Sequence, residues 1–199
     1  MLLQNSGENI IIILGCIIIA FTVHEFFHAY VSFKLGDYTA KRDGRLTLNP
    51  VKHIDYMGFV FLIVTGFGWA KPVIVNPSYY KNPVKGTALV ALAGPLSNFI
   101  LCIIGIVLHY IFRYESFVTI FFYFWLINLL LCMFNLLPVP PLDGSKILGF
   151  FLKGETYKAY LNHQMVGFIL LMVIIFSGVF GMIITPIRDF ILGDRKSVV

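Results

Sequence analysis

The sequence predicts an all-α membrane bundle, and three observations predict it. Of its 199 residues 58% are hydrophobic and only 13% charged, and the mean hydropathy is +0.85. A water-soluble domain this apolar lacks the polar surface that keeps it dispersed. Four apolar runs, 9–35, 84–112, 116–137 and 163–192, each reach the length of about 20 residues that a helix needs to cross a bilayer. The lysines and arginines collect between these runs, as they do in the cytoplasmic loops of membrane proteins.

The first span, 9–35, ends near Gly36-Asp37. A mixed stretch, 37–83, follows, rich in Lys, Arg, Gly, Pro and Asn. Within it the run 57–69 is apolar but too short to span as a helix. Its β-branched, aromatic and glycine-bounded composition predicts a membrane-embedded β-strand or re-entrant segment. Such backbone survives at membrane depth only when buried in protein or lining a watery cavity. Pro138, Pro140 and Pro141 break the third span before Leu142-Asp143-Gly144, and a helix resumes over 145–152. The fourth span carries Pro186, which is expected to kink or end it. The whole is read as one integral-membrane domain, 1–199, with a catalytic core over about 9–153 and an additional helix over about 163–192.

Charge sets an orientation. Lys34, Lys41, Arg42, Arg45, Lys52, Lys71, Lys81 and Lys85 all lie between the first two spans and place that connection in the cytosol. Lys146, Lys153 and Lys158 return to the same side, and four spans leave both termini outside; Arg195-Lys196 argues against that for the last span. The net charge of +5 therefore reflects loop bias and a lipid-bilayer partner, with no nucleic acid implied. The first run has no basic n-region and no A-x-A-like site, so it is expected to be a span rather than a cleaved signal. Cys16, Cys102 and Cys132 show no C-x-x-C spacing and read as small buried fillers.

His24, Glu25 and His28 spell H-E-F-F-H inside the first span. Ionisable residues at membrane depth cost about 2.5–3.5 kcal/mol on insertion scales and are rarely idle. Positions i and i+4 share a helix face, so both imidazoles can reach one metal ion, with Glu25 beside them to act on a water. The bland alternatives are two core histidines satisfied by carbonyls, and a Glu25 paired with a lysine. A catalytic zinc site needs a third protein ligand and an open position. Asp143 is the best candidate, since Gly144 permits a tight bend after the proline break; the alternative is an N-cap for a helix starting at Ser145. Asn135 could anchor a substrate backbone or an oxyanion, or cap the carbonyls of the broken helix. Gly94 and Ser97 allow close helix approach, and Asn98 can hydrogen-bond across to the catalytic helices. His53, His109 and His163 lack ligand-like neighbours and read as interfacial or structural.

Five motifs, in order, resemble the site-2 protease family of intramembrane zinc metalloproteases (peptidase family M50). They are His24-Glu25-Phe26-Phe27-His28; Gly44-Arg45-Leu46-Thr47-Leu48-Asn49-Pro50 with His53-Ile54-Asp55; Gly68-Trp69-Ala70-Lys71-Pro72-Val73 with Asn76-Pro77; Ala93-Gly94-Pro95-Leu96-Ser97-Asn98; and Asn135-Leu136-Leu137-Pro138-Val139-Pro140-Pro141-Leu142-Asp143-Gly144. The resemblance implies one Zn2+ per chain held by His24, His28 and Asp143, with Glu25 activating water. It implies cleavage of a peptide bond in or near the membrane segment of a substrate protein; the charge distribution, separately, puts His24 nearer the cytoplasmic leaflet. It also implies a membrane-embedded sheet after the first catalytic helix. The chain looks like a minimal, bacterial-type member, with no room for a PDZ domain and no CBS-type domain. A helical substrate hides its amides and must unwind before cleavage. Val60, Leu62 and Val64 are therefore expected on a strand edge that pairs with the unwound substrate. Two rival readings, a metal or ion transporter and an inactive binder of membrane helices, share the same ionisable residues.

Overall fold

The computed structural model describes residues 7–65, 68–112, 114–152, 156, 160 and 164–192, and they are mostly helical. Three helices are long and apolar enough to cross a membrane: α1 (Gly7–Lys34), α4 (Pro83–Ile111) and α5 (Glu115–Asn135). At 1.5 Å per residue they measure about 42, 44 and 32 Å, against a hydrocarbon thickness of about 30 Å. Between α1 and α4 lie α2 (Thr39–Arg42) and α3 (Tyr56–Thr65), and after α5 come α6 (Asp143–Leu148), α7 (Gln164–Phe176) and α8 (Val179–Leu192).

The three long helices pack on one another, and α6 packs on α4. Their shared core holds Ile13, Cys16 and Ala20 from α1, Cys102 from α4, and Phe122, Tyr123, Trp125, Leu126 and Ile127 from α5. The approach is close where the sequence offers a small residue. A Cβ at Gly105 would stand 2.8 Å from the Trp125 side chain, so glycine lets α5 press against α4. Asn82 starts α4 by accepting from the Lys85 N–H at 3.0 Å, with Pro83 in the first turn, where its missing N–H costs nothing. The three cysteines are free and buried, as fillers should be.

Two expectations are corrected. Of the run 57–69, residues 57–65 lie in a helix, Tyr56–Thr65, and not in a strand, and no strand occurs among the described residues. Asp55 nucleates it, its carboxylate accepting the Gly58 N–H at 2.8 Å while its carbonyl accepts the Phe59 N–H at 2.8 Å. That local cap outweighs β-branched composition. Val60, Leu62 and Val64 thus have their backbone inside a helix and cannot present a strand edge. What remains of sheet pairing is one antiparallel bridge, Ile54 with Ala70, extended by the Lys71 N–H to the His53 carbonyl at 2.9 Å. The last apolar run, expected as one span, breaks at Ser177-Gly178, where Gly178 has φ +75°; Pro186 sits inside α8, so of the two expectations for it, a kink or an end, it does not end the helix. Helices of 13 and 14 residues are each about 20 Å long, short of a full crossing. Lys153, Lys158, His163, Arg195 and Lys196, and with them part of the orientation argument, lie outside the described residues.

Candidate metal centre

His24 and His28 stand one turn apart on α1 and face α4, both buried. Gly94 makes this possible: a Cβ there would lie 2.5–2.6 Å from His28 Nε2 and from His24 Nε2 and Cε1. The proline break after α5 returns the chain so that α6 begins at Asp143 itself, with Leu142 in the cap position. The Asp143 carboxylate is thereby aimed at the imidazoles and does not cap a helix starting at Ser145. Gly144 is required for this return, because a Cβ would run into the Leu136 and Leu137 carbonyls.

Asp143 Oδ2 lies 3.2 Å from His24 Nε2 and 3.0 Å from His28 Nε2, and the two Nε2 atoms are 2.9 Å apart. The other carboxylate oxygen, Oδ1, pairs with Lys146 Nζ at 3.2 Å. Hydrogen positions follow from the partners. His28 Nδ1 meets the Val90 carbonyl at 2.7 Å, and a carbonyl only accepts, so Nδ1 carries the hydrogen. The Asn98 amide nitrogen meets the Ala20 carbonyl at 3.2 Å, which turns the amide oxygen toward His24 Nδ1 at 2.6 Å; that nitrogen too must donate. Both Nε2 atoms therefore face a carboxylate oxygen and each other. Three donor atoms this close repel unless a cation, a proton or a metal ion, lies among them. Three ligands bound tetrahedrally at 2.0–2.1 Å would sit about 3.3 Å apart, close to the spacing seen. The donor set, two imidazole nitrogens and one carboxylate oxygen, suits zinc and leaves a fourth position open.

Glu25 is half-buried beside this cluster, and its Oε2 accepts the Val73 N–H at 2.8 Å. That segment is stapled by Arg45, which is buried and donates to the Lys52 and Lys71 carbonyls. His53 is fully buried under the same staple, its Nε2 on the Thr47 carbonyl at 2.8 Å; burial pushes its pKa down and keeps the ring neutral. Together with Ile18, Phe21, Phe59 and Trp69 it lines an apolar groove between α1 and α3, one turn before Glu25. Leu62 lines this groove as well, whereas Val60 and Val64 are exposed.

Further along, Asp37 ties the end of α1 to the start of α4. It accepts from Thr39 N and Oγ1, from Ser32 Oγ and from the Asn76 N–H, and Ser32 in turn shares a bond of 2.7 Å with Tyr80. Burial alone would raise the Asp37 pKa, but these four donors outweigh it and hold the carboxyl below its ordinary value.

Asn98 joins the cluster, while Asn135 does not: its amide donates back to the Leu131 carbonyl at 3.0 Å. Asn128, which bonds Asn98, did not stand out in the sequence, and Val73 was noted only as part of a motif and not as a partner of Glu25. The available signal for Asn128 was an amide, one of two with Asn135, in an otherwise apolar span.

The sequence model of peptidase family M50 matches residues 112–177. YwhC of Bacillus subtilis, which carries a zinc metalloprotease name, is 40% identical over 186 residues, covering 88% of this chain and 81% of its own length. The chain belongs to peptidase family M50. Rip2 of Mycolicibacterium smegmatis, likewise named for zinc metalloprotease activity, is 28% identical over 183 residues, 88% of this chain and 70% of its own. The similarly named MJ0611 of Methanocaldococcus jannaschii is 32% identical over 139 residues, 64% of each chain. No solved structure matches the chain. The family match begins at the end of α4 and takes in Asp143 but not the H-E-F-F-H helix.

Proposed function

We propose that this M50 member is an intramembrane zinc metalloendopeptidase, with His24, His28 and Asp143 as its metal ligands and Glu25 as its general base. The observation that carries the reading is the convergence of three donor atoms of metal-ligand type with a carboxylate one residue along from His24 on the same helix. When bound, zinc supplies Lewis acidity toward a peptide carbonyl and makes water a stronger acid.

The chain's own groups do the remaining work. Asn98 and the Val90 carbonyl hold the two rings by their Nδ1 hydrogens, and Lys146 occupies Asp143 Oδ1 so that Oδ2 faces the metal. The Val73 N–H fixes one oxygen of Glu25, leaving the other to take a proton from water and pass it to the leaving amine. The substrate is the membrane segment of another protein, unwound locally before cleavage.

Depth along the helices supports a site within the bilayer. His24 lies ten residues, about 15 Å, from the Lys34 end of α1, and Gly94 eleven residues, about 17 Å, from the Pro83 end of α4. Those ends carry the basic residues that mark the cytosolic side, so the site faces the cytoplasmic leaflet. Residues 1–199 form one domain in this reading, with α7 and α8 completing the bundle.

The test is metal analysis of purified protein with cleavage of a panel of membrane-segment peptides. Bound zinc, cleavage by wild type and none by Glu25→Gln would support the reading. Equal cleavage by Glu25→Gln would reject the base assignment, and metal uptake into vesicles without cleavage would favour transport.

A further inference from the structure

Asn128 sits on α5, fully buried, one helix removed from either histidine. Its amide nitrogen donates to the Phe124 carbonyl at 2.8 Å, which turns its oxygen toward α4. That oxygen accepts from the Asn98 amide nitrogen at 2.9 Å. The second hydrogen of the Asn98 amide goes to the Ala20 carbonyl at the longer distance of 3.2 Å. With both its hydrogens spent, Asn98 can offer His24 only its oxygen. A buried chain of polar groups thus runs from α5 through α4 to α1, and its direction is fixed at each step by a backbone carbonyl that can only accept.

Resting on the metalloprotease reading above, we infer that Asn128 is a positioning residue for the metal site, locking the Asn98 amide so that His24 keeps its hydrogen on Nδ1 and presents Nε2 unprotonated. Without Asn128, one Asn98 hydrogen is buried with no partner, and apart from the His24 bond itself only the longer bond to the Ala20 carbonyl holds the amide against rotation. A rotated amide would set its NH2 against the His24 Nδ1–H and favour the tautomer with hydrogen on Nε2, which cannot bind metal. Loss of such supporting partners lowers metal affinity about 10–100-fold. The lower end applies here because the Ala20 carbonyl remains.

The experiment is a double-mutant cycle read by Zn2+ affinity, using a competing chromophoric chelator on detergent-purified full chain, with Co2+ absorption as a second readout. Asn128→Leu removes the acceptor while keeping the branching and heavy-atom count of the side chain; should the bulkier methyl groups prevent folding, Asn128→Ala makes the same comparison. Asn128→Asp keeps an acceptor facing Asn98. Expected are about tenfold weaker Zn2+ binding and an altered Co2+ spectrum for Asn128→Leu, and affinity within about twofold of wild type for Asn128→Asp. In an Asn98→Ala background, Asn128→Leu should cause no further loss.

Unchanged affinity in Asn128→Leu overturns the inference. So does the same loss in the Asn98→Ala background, which would mark Asn128 as helix-packing glue alone, and so does an equal loss in Asn128→Asp. Wild type that takes up no metal sinks the metalloprotease reading together with this one. Wild type that binds zinc and cleaves peptide but is indifferent at position 128 sinks only this one.

Discussion

The donor cluster and the base are held in different ways. His24, His28 and Asp143 are positioned by helices: α1 and α4 meet across Gly94, α6 rises from a proline bend, and Asn98 and Val90 bond the rings. Glu25 is held by a main-chain N–H of the irregular segment 68–76, which Arg45 staples from outside the bundle. On the proposed assignment the difference teaches that metal retention and proton transfer rest on separate supports, so each can be damaged alone.

The largest separation should come from Glu25→Gln, which removes the base and leaves every donor atom of the cluster in place. Peptide turnover should fall about 10²–10⁴-fold with zinc content unchanged. Gly94→Ala should do the converse. Its methyl group would occupy the space of the two imidazole Nε2 atoms, so Zn2+ affinity should fall at least about tenfold in a chelator competition. Equal affinity in that variant would mean that α1 and α4 can part without cost. Val73→Pro deletes one N–H from the base's support. It should lower turnover about three- to tenfold with metal binding intact.

Asp37→Asn probes the clasp beyond the site. An amide NH2 would face donors that the carboxylate now accepts, costing about 1–3 kcal/mol of stability at pH 7. The folded Asp37 pKa is depressed, so its contribution is present above the unfolded value of about 3.9 and fades as pH falls through the folded one. The gap in thermal unfolding between wild type and variant should therefore begin to close below about pH 4 and close fully only below the folded pKa. A gap that persists at low pH would assign the loss to something other than the carboxylate's charge.

The helical support was legible in the sequence and the irregular one was not. Asp143 was a candidate by its type and its place after a proline break, and Gly94 only as a small residue allowing close helix approach, whereas the i, i+4 histidine pair follows helix periodicity and could be read from spacing. The stretch 56–65 could not, because its β-branched and aromatic residues favour a strand while Asp55, outside the apolar run, decides for a helix. The bond from Val73 to Glu25 is invisible for a related reason: a backbone donor has no residue type to betray it. Asn128 was visible as an amide in lipid, but its partner Asn98 lies 30 residues away and only the packing of α4 on α5 joins them. The break of the last run at Gly178 instead of Pro186 shows the same limit, since both residues are helix breakers by type.

The most direct measurement is zinc K-edge X-ray absorption on the purified Glu25→Gln protein, beside Asp143→Ala. The account predicts one zinc per chain bound by two imidazoles and a carboxylate, with the carboxylate contribution lost in Asp143→Ala. Protein that binds no zinc, or a spectrum unchanged by removing Asp143, would contradict it.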